Sequence, residues 1–141
     1  MDRGPDRADV IVTAGAYVLV DGLLAFVVGA KPNGNRLAIV RLGGYREQDE
    51  TGWECAAREV HEEASLEIRP MVPPATYWLA PPHDAVAMER CPTLAAPDDP
   101  VAPVFIAWRL EEGVRKLSVM YLAIAQGVPV PSNEVRALIL L

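Results

Sequence analysis

The segment of residues 43–66 constrains the fold most, because its second half carries complete signals for an amphipathic helix. Thr51 followed three residues later by Glu54 is a capping box, which satisfies two backbone N–H groups in the first helical turn. From residue 51 to residue 64 there is no proline, and the one glycine falls at the first helical position. At about 100° per residue, one arc of this helix collects the apolar side chains Trp53, Ala56, Ala57, Val60 and Ala64. The sequence therefore predicts a helix that packs one face against a core.

A second arc of the same helix is acidic. Glu59, Glu62 and Glu63 are spaced i, i+3, i+4, so they share one stripe away from the apolar face. Three carboxylates on one stripe repel each other, so a positive charge should compensate them. The helix alone leaves two interpretations open. One is a solvated face with Arg58 and Arg69 as loose partners, and the other is a site for Mg²⁺ or Mn²⁺, which prefer carboxylate oxygens.

The residues before the helix favour the metal site. Gly44 is followed after five residues by Glu50, and after seven more by the run REVHEEASL at positions 58–66. This pattern resembles the signature of the Nudix hydrolases, G-x5-E-x7-R-E-U-x-E-E-x-G-U, in which U is a bulky aliphatic residue. Eight of the nine specified positions match, and Ser65 is the exception because the family has glycine there. So many fixed spacings make the signature far more specific than a lone glycine-rich loop.

The resemblance implies a catalytic site on the helix. Glu59, Glu62 and Glu63 take the places of the family's metal-binding glutamates. Glu59 would also act as a base or orient the attacking water, and Glu62 is a second candidate in catalysis. Arg58 matches the arginine that orients Glu59. The implied cofactor is Mg²⁺ or Mn²⁺, which would neutralise a diphosphate and lower the pKa of a bound water.

Three further positions of the signature concern structure. Glu50 matches the acid that pairs with Arg58, and Gly44 matches a glycine whose missing side chain lets the loop fold tightly onto the helix. Ser65 stands where glycine would form a left-handed C-cap, a conformation that costs serine about 1 kcal/mol. We interpret Ser65 as a tolerated cap variant. The alternative is a relative that has lost catalysis, but every charged position of the signature is retained.

The function implied by the resemblance is a Mg²⁺-dependent pyrophosphohydrolase that cleaves a nucleoside diphosphate linked to another group. ADP-ribose or a related sugar nucleotide is the favoured substrate. In the family, a proline about fifteen or sixteen residues after the signature is associated with that class, and Pro81 and Pro82 fall there. Two other hypotheses remain: a catalytically silent Nudix-like domain that binds a nucleotide or a protein, and an unrelated α/β domain with an accidental acidic helix.

Apolar and β-branched runs predict strands on both sides of the helix. Asp21-Gly22 separates the runs at 10–20 and 23–29, and an Asp-Gly pair in that position predicts a hairpin. Further strands are predicted at 37–42, 66–72, 75–80, 104–110 and 117–125, and a last strand at 134–141. The fold class is therefore α/β. The resemblance implies a Nudix-like α/β/α sandwich with a curved mixed sheet. We expect the family's closing helix to be missing here, either because the sequence is truncated or because this member lacks it.

Residues 81–103 form the least regular segment, which is a candidate substrate loop. Asp98 and Asp99 could supply a further acid, and solvated loop acids are the simpler interpretation. Trp78 is a candidate for stacking on a substrate base, as are Tyr77 and Trp108. For each of these aromatic residues the alternative is a buried core position.

Composition limits the class of protein. With 141 residues, 51% of them hydrophobic, the chain suits one domain with a substantial core. We expect residues 1–9 to form a flexible tail and residues 10–141 to form the domain. A net charge of −6 argues against a nucleic-acid surface, whereas a nucleotide ligand remains compatible with it.

Location and partners follow from the same composition. No apolar run reaches transmembrane length, and the first residues lack the apolar core of a signal peptide, so we expect a cytoplasmic protein that does not bind membranes. Cys55 and Cys91 lack metal-type spacing and are expected to be free thiols. The apolar residues 139–141 need cover, for which a second copy in a homodimer is the expected partner.

Overall fold

The computed structural model describes residues 9–30, 37–81, 89–91, 99–133, 135 and 137–141. Within these residues the chain forms ten strands and one helix. In chain order they are β1 (Val10–Val20), β2 (Leu23–Ala30), β3 (Leu37–Val40), β4 (Leu42–Tyr45), α1 (Gly52–Ala64), β5 (Ile68–Met71), β6 (Thr76–Leu79), β7 (Glu89–Cys91), β8 (Phe105–Glu111), β9 (Val114–Ala125) and β10 (Ala137–Leu140).

The first two strands form the hairpin that Asp21-Gly22 predicts. Both turn residues have positive φ, 50° at Asp21 and 80° at Gly22, as a two-residue type I′ turn requires. Val20 pairs with Leu23 across the turn. The prediction of this hairpin is confirmed.

One mixed sheet contains all ten strands. Its main path runs β10-β2-β1-β9-β8-β6-β7, while β3 pairs with β2, β4 with β1 and β5 with β9. The pairs β1–β9 and β6–β8 are parallel. The α/β fold with a mixed sheet is confirmed. In the part of the chain that the structure describes, α1 is the helical layer, so the second helical layer of an α/β/α sandwich is not seen there.

The core lies between α1 and one face of the sheet. Cys55, Ala56, Val60 and Ala64 of α1 are fully buried, so the predicted apolar face is confirmed at Ala56, Val60 and Ala64, and Cys55 is added to it. Trp53 and Ala57 are only partly buried, and Trp53 packs against the core. The sheet contributes Ala14, Ala16, Val18, Leu42, Ile106, Val119, Tyr121 and Ala123. Burial of these side chains is the main stabilising contribution to the fold, at roughly 25 cal/mol per Å² of apolar surface removed from water.

Two strand predictions need correction. The predicted strand at 37–42 is two strands, interrupted at Arg41, because β3 pairs with β2 whereas β4 pairs with β1. The segment 81–103, predicted to be irregular, contains β7, which pairs with β6. β7 is three residues long, too short to produce a recognisable sequence pattern.

Asp9, the last residue of the segment expected to be a flexible tail, forms an ion pair with Arg115. Its carboxylate accepts two hydrogen bonds of 2.8 Å from Arg115 Nε and Nη2. The Arg115 guanidinium lies 5.4 Å from the ring centroids of both Trp78 and Trp108. This buried ion pair ties the residue before β1 to the start of β9. Residues 1–8 lie outside the described part of the chain.

No helix in the described residues is long and apolar enough to cross a membrane.

Candidate functional site

Local signals place the acidic helix as the sequence predicts. Thr51 Oγ1 accepts a hydrogen bond from the Glu54 N–H at 3.0 Å, and Glu54 Oε1 accepts one from the Thr51 N–H at 2.9 Å, which completes the capping box. The helix ends at Ser65, which has φ 58° and ψ 31° and donates its N–H to the His61 carbonyl. Ser65 therefore adopts the left-handed cap conformation that glycine would favour, as expected from the signature.

Arg58 and Glu50 form a two-bond ion pair beside the helix. Arg58 Nε and Nη2 donate to Glu50 Oε2 and Oε1 at 2.7 and 3.1 Å. The hydrogen bond from Arg58 lowers the pKa of Glu50 below its ordinary value of 4.5. In turn, the hydrogen bond to Glu50 raises the pKa of Arg58, so its positive charge is held firmly. This is the pairing expected for these two residues.

The same guanidinium group binds two glutamates of the acidic stripe. Arg58 Nη1 lies 3.0 Å from Glu59 Oε1 and 3.2 Å from both carboxylate oxygens of Glu62. Arg58 Nη2 also donates to the Tyr45 carbonyl at 2.9 Å, which anchors the guanidinium to β4. With 23% of its side chain exposed, Arg58 is a fixed partner of these carboxylates rather than a loose one.

Two glycines bring β4 against the helix carboxylates. A Cβ at Gly44 would lie 2.5 Å from the Glu59 carboxyl carbon and 2.6 Å from each carboxylate oxygen, so any larger residue would displace Glu59. The Gly43 N–H donates to Glu63 Oε1 at 2.8 Å. The glycine loop therefore packs directly on the glutamate stripe.

The donor chemistry of this stripe suits a hard divalent cation. The carboxylate oxygens of Glu59 and Glu62 both lie within 3.2 Å of Arg58 Nη1. They therefore already surround one positive charge, as they would surround a metal ion. Glu63 is turned toward Gly43 instead, and no group of three His, Cys, Asp or Glu side chains among the described residues is arranged to hold a metal ion. Binding of a cation by all three glutamates would therefore require Glu63 to exchange its contact with the Gly43 N–H.

A cavity of about 430 Å³ opens at the other end of the helix. Its walls come from residues 9–11 and from the loop between β4 and α1. Glu50 borders it, but the carboxylate of Glu50 is bound to Arg58. We assign the candidate chemistry to the glutamate stripe and not to this cavity. The carboxylates of the stripe and the Arg58 guanidinium beside them suit a charged substrate.

Asp98 and Asp99 are the candidate acids outside the signature, and the structure describes one of them. Asp99 is buried, with 4% of its surface exposed, and accepts hydrogen bonds from the Trp53 and Val101 N–H groups and from the Tyr121 hydroxyl. Burial, followed by this contact with Asp99, raises the pKa of Tyr121. Asp99 thus binds the first turn of α1, about two helical turns from Glu59, and not the glutamate stripe. Asp98 lies outside the described residues.

Trp78 does not present a ring for stacking. Its side chain is 2% exposed and packs under Arg115, so the alternative of a buried core residue fits it. The sequence analysis did not single out Arg41, which lies two residues before Gly43. Arg41 lies against Gly15 of β1, as described below. A sequence signal for Arg41 does exist: a positively charged residue stands two positions before the glycine pair of the signature.

Solved structures of similar fold come from several organisms. A hydrolase of the NUDIX family from Clostridium perfringens has a TM-score of 0.60 at 14% identity, over 94% of this chain and 80% of that one. An Ap4A hydrolase from C. elegans has a TM-score of 0.55 at 16% identity, over 93% and 78% of the two chains. A MutT NUDIX hydrolase from Burkholderia pseudomallei has a TM-score of 0.53 at 16% identity, over 94% and 83%.

No protein-family model matches the chain, and no curated protein matches it in sequence. At identities of 14–16%, the structural matches establish the fold. The predicted likeness to the Nudix hydrolases is confirmed at that level: this chain has the Nudix hydrolase fold.

Proposed function

We propose that the protein is a Mg²⁺- or Mn²⁺-dependent Nudix pyrophosphohydrolase that cleaves a nucleoside diphosphate linked to another group. The observation that carries the proposal is the single guanidinium of Arg58, which joins Glu50 to Glu59 and Glu62 on the helix. The contact between Gly44 and the carboxylate of Glu59 adds to it, because it holds a candidate base in one position. The fold it shares with the hydrolases described above supports the same reading.

The residues of the site suit attack by water on phosphorus. A divalent cation held by Glu59, Glu62 and Glu63 would neutralise the diphosphate and make the attacking water more acidic. Glu59 takes the proton of that water, an oxygen–phosphorus bond forms, and the bond from phosphorus to the bridging oxygen breaks. Arg58 orients Glu59, since Arg58 Nη1 lies 3.0 Å from Glu59 Oε1. The products are two phosphate esters.

ADP-ribose or a related sugar nucleotide is the favoured substrate, supported by the prolines at 81 and 82. The Ap4A hydrolase among the structural neighbours makes that compound a second substrate to test. Both contain adenosine and a phosphoanhydride bond, so one panel of nucleotides examines them together.

Phosphate release from that panel tests the function. The purified chain is incubated with Mg²⁺ or Mn²⁺ and a coupled phosphatase, beside Glu62→Gln and Glu63→Gln. We expect turnover of at least one nucleotide and its loss by about a hundredfold or more in each variant. Glu67→Gln is the matched control, because Glu67 lies just beyond the signature and pairs with His61 at the surface. Turnover that survives both signature variants would refute the proposal.

A catalytically silent nucleotide-binding domain is the second candidate, and one observation favours it. Glu63 is bound to the Gly43 N–H and does not converge with the other two glutamates. Nucleotide binding measured by calorimetry, together with no turnover across the panel, would select this function.

We further propose a cytoplasmic homodimer. Cys55 is a free and buried thiol, which suits a reducing compartment. Large apolar side chains are exposed on β3 and β10, namely Ile39, Val40 and Leu140, and at Leu141 beyond β10. A second copy could cover them, and light scattering of the purified chain measures whether it does.

A further inference from the structure

Arg41 is a half-buried cation without a carboxylate partner among the described residues. Its Nε donates to Met120 Sδ at 2.8 Å, and its side chain crosses β1 at Gly15. A Cβ at Gly15 would meet the Leu42 carbonyl oxygen first and would lie 2.8 Å from Arg41 Cδ and 2.9 Å from Nε, so the glycine makes room for both the β4 backbone and the arginine. A thioether is a weak acceptor and a guanidinium has five N–H donors. Arg41 therefore keeps donors for an anion.

The strand register places Arg41 at one end of a row of residues across the sheet. Gly43 pairs with Gly15, Gly15 with Met120, Met120 with Phe105, and Phe105 with Tyr77. Residues opposite each other in neighbouring strands point to the same face. The next residues along these strands, Ala14, Val119, Ile106 and Trp78, belong to the same buried core as Ala56 and Val60 of α1. The row therefore lies on the sheet face away from α1.

The row begins at the proposed active site and ends on aromatic rings. Gly43 donates its N–H to Glu63, and Arg41 is two residues before it. Phe105 is partly exposed, and Tyr77 is 36% exposed on the same face. Because strands are about 4.8 Å apart, Phe105 and Tyr77 lie about 5 and 10 Å from Met120, where the guanidinium rests. A ribose can span that separation between a phosphate and its base.

We propose that this row, which we call the shelf (Arg41, Gly15, Met120, Phe105 and Tyr77), binds the nucleoside diphosphate half of the substrate. Arg41 donates to a phosphate with the paired N–H geometry that suits phosphate oxygens. The base rests on Phe105 and Tyr77, whose rings supply a stacking surface. The shelf proposal extends the proposed hydrolase function, and it takes the class of substrate from that function.

ADP and inorganic pyrophosphate are the probes, titrated by calorimetry in the presence of EDTA. We expect Arg41→Met to weaken the binding of both probes by about tenfold or more. Tyr77→Ala should weaken ADP by about fivefold and leave pyrophosphate unchanged, because pyrophosphate has no base. Arg109→Met is the matched control, since Arg109 lies on β8 and is paired with Glu111 at 2.6 Å. Its binding of both probes should equal that of the wild type.

Hydrolysis is measured separately with Mg²⁺, so the two proposals can fail independently. In the hydrolase, Arg41→Met should raise KM by about tenfold and change kcat far less. An unchanged dissociation constant for ADP in Arg41→Met, or no binding of either probe to the wild type, would overturn the shelf whatever the activity. Weaker ADP binding in Arg41→Met without any turnover by the wild type would support the shelf and refute the hydrolase.

Discussion

Arg58 donates hydrogen bonds to the oxygen atoms of four groups with one guanidinium. Three are the carboxylates of Glu50, Glu59 and Glu62, and the fourth is the Tyr45 carbonyl. Its charge offsets the repulsion that spacing i, i+3 and i+4 imposes on the acidic stripe. One residue thus stabilises the helix and orients the candidate base, so its replacement should affect both stability and activity.

The Glu50–Arg58 pair makes stability depend on pH in a defined direction. The pKa of Glu50 is lowered in the folded protein, so its contribution is fully present above the unfolded value of about 4.5 and is lost as pH falls through the folded value. We expect Glu50→Gln to reduce the free energy of unfolding by about 1 to 3 kcal/mol near pH 7. Thermal midpoints of both proteins between about pH 3 and pH 7 should converge at the acid end.

Glu47→Gln is the control for that series. Glu47 lies 3.7 Å from Arg58 Nη1, and its side chain is 67% exposed, so solvent screens the pair. Its midpoint should follow the wild type across the whole range. A constant gap between Glu50→Gln and the wild type down to the lowest pH would show that the ionised carboxylate is not what stabilises the fold.

At the scale of elements, helix α1 is bounded by local chemistry at both ends. The capping box at Thr51 satisfies the first turn, and Asp99 accepts the Trp53 N–H from a distant loop. At the other end, the Ala64 and Glu63 carbonyls accept N–H groups from Val130 and Ser132. A signal within the helix sets where it starts, whereas contacts from residues far along the chain complete both ends.

Ser65→Gly should stabilise the protein by about 1 kcal/mol, because Ser65 adopts φ 58°, a left-handed conformation that glycine enters without strain. Chemical denaturation measures the change in the free energy of unfolding. Ser65→Ala separates the two causes, since alanine removes the hydroxyl and keeps the strain. If alanine stabilised the protein as much as glycine does, the hydroxyl rather than the backbone would be responsible.

At the scale of the whole molecule, the sheet brings together parts of the chain that are distant in sequence. β1 and β9 pair in parallel over nearly their full length, which sets Gly15 beside Met120. β4 then adds to the other edge of β1 and carries the glycine loop to the helix glutamates. These pairings bring the shelf close to the glutamate stripe.

Under the proposed function, metal binding should stabilise the folded protein as a whole, because three glutamates on one helix would bind a cation that the unfolded chain would bind weakly. At Mn²⁺ tenfold above its dissociation constant, the gain is about 1.4 kcal/mol and the thermal midpoint rises by a few degrees. Glu62→Gln should lose most of this shift and Glu67→Gln should retain it. A thermal midpoint that does not change at millimolar Mg²⁺ or Mn²⁺ would favour an unrelated domain with an accidental acidic helix.

Prediction from sequence succeeded where the determinants are short in range. Thr51, Glu54 and Ser65 define α1 through bonds within a few residues, and Asp21-Gly22 defines the first hairpin by its own backbone preferences. The pairing of Glu50 with Arg58 was expected only from the resemblance to the Nudix signature, and the structure contains it. Strand order and β7 were not predictable in this way, since strand pairing depends on partners tens of residues away.

The sequence by itself determined the acidic helix, its caps and the set of carboxylates that the proposed chemistry uses. Only the tertiary structure decided that Asp99 caps a helix, that Trp78 is buried and that Arg41 lies over Gly15 with a thioether as its partner. The physical reason is the range of the interaction. A helix turn closes over four residues, whereas the register of β1 against β9 joins residues about a hundred positions apart, and no local pattern records that pairing.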